Sequence, residues 1–366
     1  MIIGVPKETK REEYRTGMTP SGVEEMNRDG HILLIESGSG MGSGFTDDEY
    51  LKAGADVVDS VTLYGRAELI VKVKEPLPDE YRLFRERQAL FTFLHLAPNS
   101  ELTGVLLEKK VTALGYETLE KDGSLPLLSP MSEIAGRMAP IMGAYYLQKV
   151  LGGAGILPTG AVGVKPAKAI ILGAGIVGTN AARVCAGLRM DTFVMNRGAE
   201  RLQKIDEIFA GRVKTLPLTS SSLNREIADA DIIIGAVLVP GGKTPVLITR
   251  EMLRTMKRGA VIVDVSVDQG GCAATSRPTT HDDPVYEVDG IIHYTVANMP
   301  GAYPRTSTLA LTNSTFPYIK ILAHKGIEES IREDRVMRSA LNTYNGEVTN
   351  RPLADSLGLK FSEPFS

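Results

Sequence analysis

The stretch Ala169-Ile170-Ile171-Leu172-Gly173-Ala174-Gly175-Ile176-Val177-Gly178 decides how this chain is read. Four apolar residues of the kind that fill a buried strand run straight into a Gly-x-Gly-x-x-Gly turn, and Ala181, Ala182 and Val184 continue it as a helix. Without side chains, the first two glycines let the turn close and let a pyrophosphate approach the backbone. The helix N-terminus adds amide donors and the positive end of its dipole. A bare glycine pattern is only a tight turn, but with a strand before it and a helix after it the pattern is a dinucleotide fingerprint. Gly173, Gly175, Ile176, Val177 and Gly178 are therefore predicted to cradle a cofactor.

The next strand of such a unit ordinarily ends in an acid that takes the ribose hydroxyls of NAD. Here Thr192 to Met195 is followed by Asn196 and Arg197. An Asn can still bond a ribose but does not repel a 2′-phosphate, and Arg197 with Arg201 could pair with one. The expected cofactor is NAD, with NADP open. The plainer alternative is that both arginines are solvated residues at a helix start.

Working outward, Asp231 to Val239 and Ala260 to Val265 continue the strand series. On the amino-terminal side, Ile32 to Ile35, Leu69 to Val73, Leu90 to Leu96 and Val111 to Leu114 alternate with helical segments. Thr46 to Glu49 has the capping-box form, Asn99 can cap a helix running to Lys110, and Pro78 to Arg87 is helix-like. Ser129-Pro130 opens a long helical segment that Pro140 is expected to bend, and Arg305 to Lys325 reads as a long helix closed by Gly326. Such alternation predicts an α/β protein with two Rossmann-like domains, each a mainly parallel sheet flanked by helices. A length of 366 residues suits two domains at roughly 150 residues each.

Composition narrows the partners. With 41 basic and 44 acidic residues there is no electrostatic footprint for nucleic acid or an anionic membrane. Cys185 and Cys272 build neither a disulfide framework nor a metal cluster, so no metal is expected. Neither a leader nor a membrane-length apolar run is read, so a cytoplasmic location is expected.

Several residues could carry chemistry. Lys72 and Lys74 are read on one face of a strand, where a wet edge would explain them equally well. His95, at the end of an apolar run, falls where α/β folds bind ligands, although a lone His there is more often structural. Arg15 has no motif of its own and by itself reads as surface. Asp268 follows a buried-type strand and precedes a glycine pair, and Asn298 stands before a Pro-Gly break.

Taken together, the segments resemble the alanine dehydrogenase family, which shares its fold with one subunit of the proton-translocating nicotinamide nucleotide transhydrogenases. The likeness runs end to end. It includes Gly4-Val5-Pro6-Lys7-Glu8, Val71-Lys72-Val73-Lys74-Glu75-Pro76, Leu94-His95-Leu96, Pro130 to Arg137, the glycine fingerprint, Gly235 to Gly241, Val267 to Gly271 and Ala297 to Pro300. The resemblance implies a substrate domain of residues 1–128 and 306–366, an inserted dinucleotide-binding domain of residues 129–305, and a catalytic cleft between them. It implies that Arg15 and Lys74 hold the carboxylate and keto oxygen of pyruvate, that His95 is the acid/base group, and that Asp268 assists. Ser132, Val237, Leu238, Val265, Ser266, Val267, Asn298 and Met299 would meet the cofactor. The implied reaction is reversible oxidative deamination of L-alanine to pyruvate and ammonium, carried out by a homohexamer.

Three positions depart from the family pattern: Asn196 replaces an acid, Thr16 to Thr19 replaces a more apolar run after Arg15, and Ser266, whose hydroxyl could reach the cofactor, replaces a small apolar residue. They leave room for a related amino-acid dehydrogenase acting on another 2-oxo acid. A transhydrogenase-like binding module or a nucleotide-binding regulator with a decayed site would have to retain Arg15, Lys74, His95 and Asp268 without using them.

Overall fold

The computed structural model describes residues 1–237 and 244–365. By internal packing the chain forms two compact units, Met1–Met131 with Gly301–Ser366, and Ser132–Pro300. The division falls within the helix Ser129–Tyr146, a few residues beyond the expected boundary, and the return falls at Gly301 rather than 306.

In the first unit, short apolar runs form β1 (Ile2–Val5), β2 (Ile32–Glu36), β3 (Asp56–Val58), β4 (Leu69–Val71), β5 (Ala89–Thr92) and β6 (Thr112–Gly115). They pair in parallel in the order β6-β5-β4-β1-β2-β3, so the chain starts mid-sheet, runs to one edge and then to the other. Helices between the strands cover the faces; Gly4 of β1 lies so close to the helix Ser60–Arg66 that a Cβ there would come within 2.7 Å of Leu63 Cδ2. Leu34, Leu63, Ile70, Leu90, Leu102 and Leu106 belong to a core on this sheet.

In the second unit, β7 (Lys168–Leu172), β8 (Asp191–Asn196), β9 (Lys214–Pro217), β10 (Ile232–Gly235), β11 (Val261–Asp264), β12 (Val285–Val288) and β13 (Ile291–Tyr294) form a sheet ordered β12-β13-β11-β10-β7-β8-β9. All are parallel except β12, which pairs antiparallel with β13. Alternate residues of its strands enter different cores: Ile171, Ile232, Ile234 and Val263 one, Ile170, Leu172, Ile233 and Ile262 the other. After the helix Pro304–Lys325, β14 (Leu341–Tyr344) and β15 (Glu347–Val348) extend the first sheet antiparallel, beginning on β6.

Both units are thus doubly wound, and each has a switch point between its first and fourth strands, where ligands settle at strand carboxyl ends. Several local expectations differ. Pro78–Arg87 is helical only over Pro78–Tyr81. The strand through Lys72 and Lys74 ends at Val71. Among the described residues, the segment after Gly326 holds three helices, Ile327–Glu333, Arg335–Ser339 and Arg351–Leu357, and two strands rather than a helix and a tail. The helix Ser129–Tyr146 runs through Pro140 without ending. The capping box at Thr46 and the Asn99 cap form as read. Leu238 and the end of the run to Gly241 lie outside the described residues.

Candidate functional site

At the switch point of the second unit, the glycines divide their roles by geometry. Gly173 has φ +113°, and a Cβ on it would meet the Ala236 carbonyl oxygen at 2.5 Å. A Cβ on Gly178 would lie 1.9 Å from the Gly173 carbonyl oxygen, so this position sets the close approach of helix to turn. Gly175 is different: nothing lies nearer to its Cβ position than Arg201 Nη1 at 3.8 Å. Gly175 also N-caps the helix Ile176–Gly187 without a side-chain cap, leaving amide donors directed outward. An open glycine and an uncapped helix start fit a bound pyrophosphate.

Asn196 ends β8. Its Oδ1 accepts from the Ala174 amide at 3.3 Å and its Nδ2 donates to the Gly198 carbonyl at 3.0 Å, so the carboxamide is tied to the turn it flanks. Arg197 and Arg201 are exposed.

Asp264, at the end of β11, is fully buried and accepts from the Ser266 amide (3.0 Å), the Cys272 amide (2.7 Å) and Ser276 Oγ (2.6 Å). It ties down both ends of the loop that presents Asp268, which is exposed on the turn Val267–Gln269. The Ser266 hydroxyl donates to the Val237 carbonyl at 2.7 Å and so pins that backbone. Burial, with the Asp264 charge, pushes the Cys272 thiol well up, and the residue is packed rather than reactive. Asn298 has φ +61°, a conformation Asn tolerates, and its carbonyl lies 3.3 Å from His281 Nε2. Val267 and Met299 are buried; Ser132, Val237 and Val265 are partly so.

The first unit gathers its chemistry at the carboxyl ends of four adjacent strands, β1, β4, β5 and β6. Arg15, beyond β1, is buried rather than surface: Nε donates to Glu13 Oε1 at 2.6 Å, Nη2 donates to the other oxygen, and Nη1 points at Met131 Sδ, 2.9 Å away. Burial works to raise the Glu13 carboxyl, but the hydrogen bonds and charge of Arg15 outweigh it and the net direction is down. Beyond β4, Lys72 and Lys74 part ways. Lys72 is fully buried, donating to Glu80 Oε1 at 2.8 Å with Glu8 Oε2 at 3.4 Å; despite burial, the two carboxylates raise its pKa and keep it charged. Its ammonium is structural. Lys74 has its pKa lowered, by burial and by the positive charges of Arg15 and Lys10.

His95, three residues past β5, has φ +45°. Glu117, beyond β6, holds that turn by accepting from the His95 amide at 2.7 Å and from the Leu94 amide at 3.0 and 3.1 Å. The imidazole is exposed, stacks on Phe93 at 6.0 Å, and places Nδ1 3.0 Å from Glu75 Oε2, while Lys10 Nζ lies 2.5 Å from Glu75 Oε1. Sequence reading had singled out the cations and the imidazole but not Glu13, Glu75, Glu117 and Asp264, the acids that hold the functional loops.

A doubly wound sheet with this turn at its switch point is that of a nucleotide-binding oxidoreductase. Comparison with known proteins gives the family. Residues 4–135 match the model for the alanine dehydrogenase/PNT N-terminal domain and residues 139–351 that for its C-terminal domain. Alanine dehydrogenase of Bacillus subtilis is 49% identical over 99% of this chain and 96% of its own, and that of Methanococcus maripaludis is 48% identical over 99% and 98%. A solved L-alanine dehydrogenase covers 98% of this chain and 99% of its own with TM-score 0.95 and 45% identity. A Sinorhizobium meliloti transhydrogenase, 24% identical, shares the fold with TM-score 0.83 over 96% of this chain and 99% of its own. The chain belongs to the alanine dehydrogenase/PNT family. No helix among the described residues is long and apolar enough to cross a membrane.

Proposed function

We propose that the chain catalyses reversible, nicotinamide-linked oxidative deamination of L-alanine to pyruvate and ammonium. The observation that carries this reading is the convergence of a guanidinium, an ammonium and an imidazole at neighbouring strand ends of one sheet, in a chain whose second sheet ends in a dinucleotide cradle. The unit Ser132–Pro300 is then the cofactor-binding unit and the other binds substrate. Homohexameric assembly and a cytoplasmic location belong to the same proposal.

Arg15, fixed by Glu13, pairs its guanidinium with the substrate carboxylate, a geometry a guanidinium serves better than an ammonium. Lys74 bonds the keto oxygen as negative charge builds there. Ammonia, the form that carries the lone pair, adds at the carbonyl carbon to give the carbinolamine; His95 protonates its hydroxyl so that the C–O bond breaks, water leaves and the iminium forms, and in the reverse direction it takes a proton from the water that adds. Asp268 offsets the cationic iminium. When bound, the reduced nicotinamide supplies the electron pair and hydrogen that complete the amino acid. Ser132, Val237, Leu238, Val265, Ser266, Val267, Asn298 and Met299 serve as its contacts, Ser266 through the Val237 backbone. A panel of 2-oxo acids with ammonium tests the substrate: pyruvate should give the highest kcat/KM, and another acid exceeding it tenfold would make this a related dehydrogenase with an altered pocket.

The reading includes NADP as well as NAD. In support, the β8 terminus carries an uncharged Asn196 committed to backbone, followed by exposed Arg197, and exposed Arg201 places Nη1 beside the open glycine. A charge-assisted pair is worth about 1.5–3 kcal/mol. Arg197→Leu with Arg201→Leu should therefore weaken NADPH binding roughly 10- to 100-fold by nicotinamide fluorescence, with NADH changed far less. Equal loss for both nucleotides would assign the arginines to the pyrophosphate alone.

A further inference from the structure

We propose that Glu75 is the positioning residue that fixes the tautomer and the basicity of His95, so that Nε2 is the atom that exchanges protons with substrate. This rests on the reading of His95 as the acid/base group and deepens it. Glu75 follows β4 and His95 follows β5, so adjacent strands deliver the two side chains to one place, with Oε2 3.0 Å from Nδ1. The other Glu75 oxygen takes Lys10 Nζ at 2.5 Å.

Burial works to raise the Glu75 carboxyl, but His95 and then Lys10 overcome it and the net direction is down, so the group is a carboxylate and can only accept. Nδ1 must then carry the hydrogen, and the neutral imidazole keeps its lone pair on Nε2. The arrangement has the logic of a carboxylate behind a catalytic imidazole, which selects the tautomer and stabilises the cation formed when Nε2 accepts a proton. Glu117 acts one step further out: by binding the Leu94 and His95 amides it holds the left-handed backbone from which the ring reaches Glu75. Charged and titratable groups facing the pair include Lys10, Lys74, Glu117 and the Tyr81 hydroxyl; Lys10 Nζ bonds the Glu75 carboxylate directly.

The test is the pH profile of kcat for L-alanine oxidation. Its acid limb reports protonation of the base, because that direction needs a neutral imidazole. Removing the negative charge with Glu75→Gln takes away the carboxylate that stabilises the imidazolium, moves the limb to lower pH and reduces kcat about 10- to 100-fold through the mixed tautomer; Glu75→Asp restores most of the rate and the limb. Lys10→Met, a half-exposed position safe for folding, removes the competing cation and moves the limb to higher pH. That variant decides the matter even if Glu75→Gln does not fold. A limb that stays in place in every folded variant would overturn the proposal. With His95→Gln measured alongside, loss of turnover there with unmoved limbs in the others would sink the role of Glu75 alone, whereas undiminished turnover in His95→Gln would sink the reading of His95 itself.

Discussion

His95→Ala is expected to lower kcat for pyruvate amination by about 10²- to 10⁴-fold, the span a positioned acid/base group contributes, while nucleotide affinity stays near that of the unaltered protein. The expectation is sharp because the two functions lie on different sheets: the imidazole follows β5 of the first unit, and the glycine turn follows β7 of the second. The side chain is also exposed, with Phe93 stacked on one side of it, so its loss should cost little stability. Steady-state rates combined with fluorescence titration of the nucleotide check both halves. Near-normal turnover would remove His95 from the mechanism, and a parallel loss of nucleotide affinity would mean that the variant is damaged more widely.

The second large effect is on stability. Lys72→Met leaves the Glu8 and Glu80 carboxylates buried without their shared cation, and breaking a buried ion pair from one side costs about 3–5 kcal/mol. For units of this size that is a fall in Tm of roughly 6–20 °C. The pH dependence has a definite sign. Burial already holds the Glu8 carboxyl above its usual range, and removing Lys72, the charge that works to lower it, raises it further in the variant. The penalty is then full above the folded pKa and disappears as pH falls through it toward the unfolded one. The gap in Tm between variant and unaltered protein should therefore narrow on acidification, and adding Glu8→Gln should recover part of it at neutral pH. A Lys72→Met protein as stable as its parent at neutral pH would mean that these charges do not depend on one another.

What was legible in the sequence follows from the range over which its signals act. The strand-turn-helix at Ala169 to Val184 is local: the strand is apolar throughout, and Gly173 and Gly178 are demanded by atoms a few residues away or in the neighbouring strand end. It was read correctly without any tertiary knowledge. β1 was not, because four residues next to a terminus carry no periodicity; the strand is specified by its partners β2 and β4 on either side. Lys72 and Lys74 looked equivalent because alternation was assumed to continue, whereas the strand ends at Val71 and the Val73 amide is taken by Glu8 at 2.7 Å, which separates their surroundings. Arg15 gave no sign of burial, since its counter-ion Glu13 is an ordinary acid in a run of charged residues. The same holds for Glu75, Glu117 and Asp264: their importance lies in which loops they tie, and that is fixed only when strand ends assemble side by side.

The measurement that bears most directly on the proposed reaction is the initial rate of nicotinamide oxidation with pyruvate and excess ammonium, run in parallel with NADH and NADPH. Turnover that requires both pyruvate and ammonium, with NADPH accepted alongside NADH, is the result expected from the Arg15, Lys74 and His95 cluster and the uncharged β8 terminus. No ammonium-dependent oxidation with either nucleotide would contradict it.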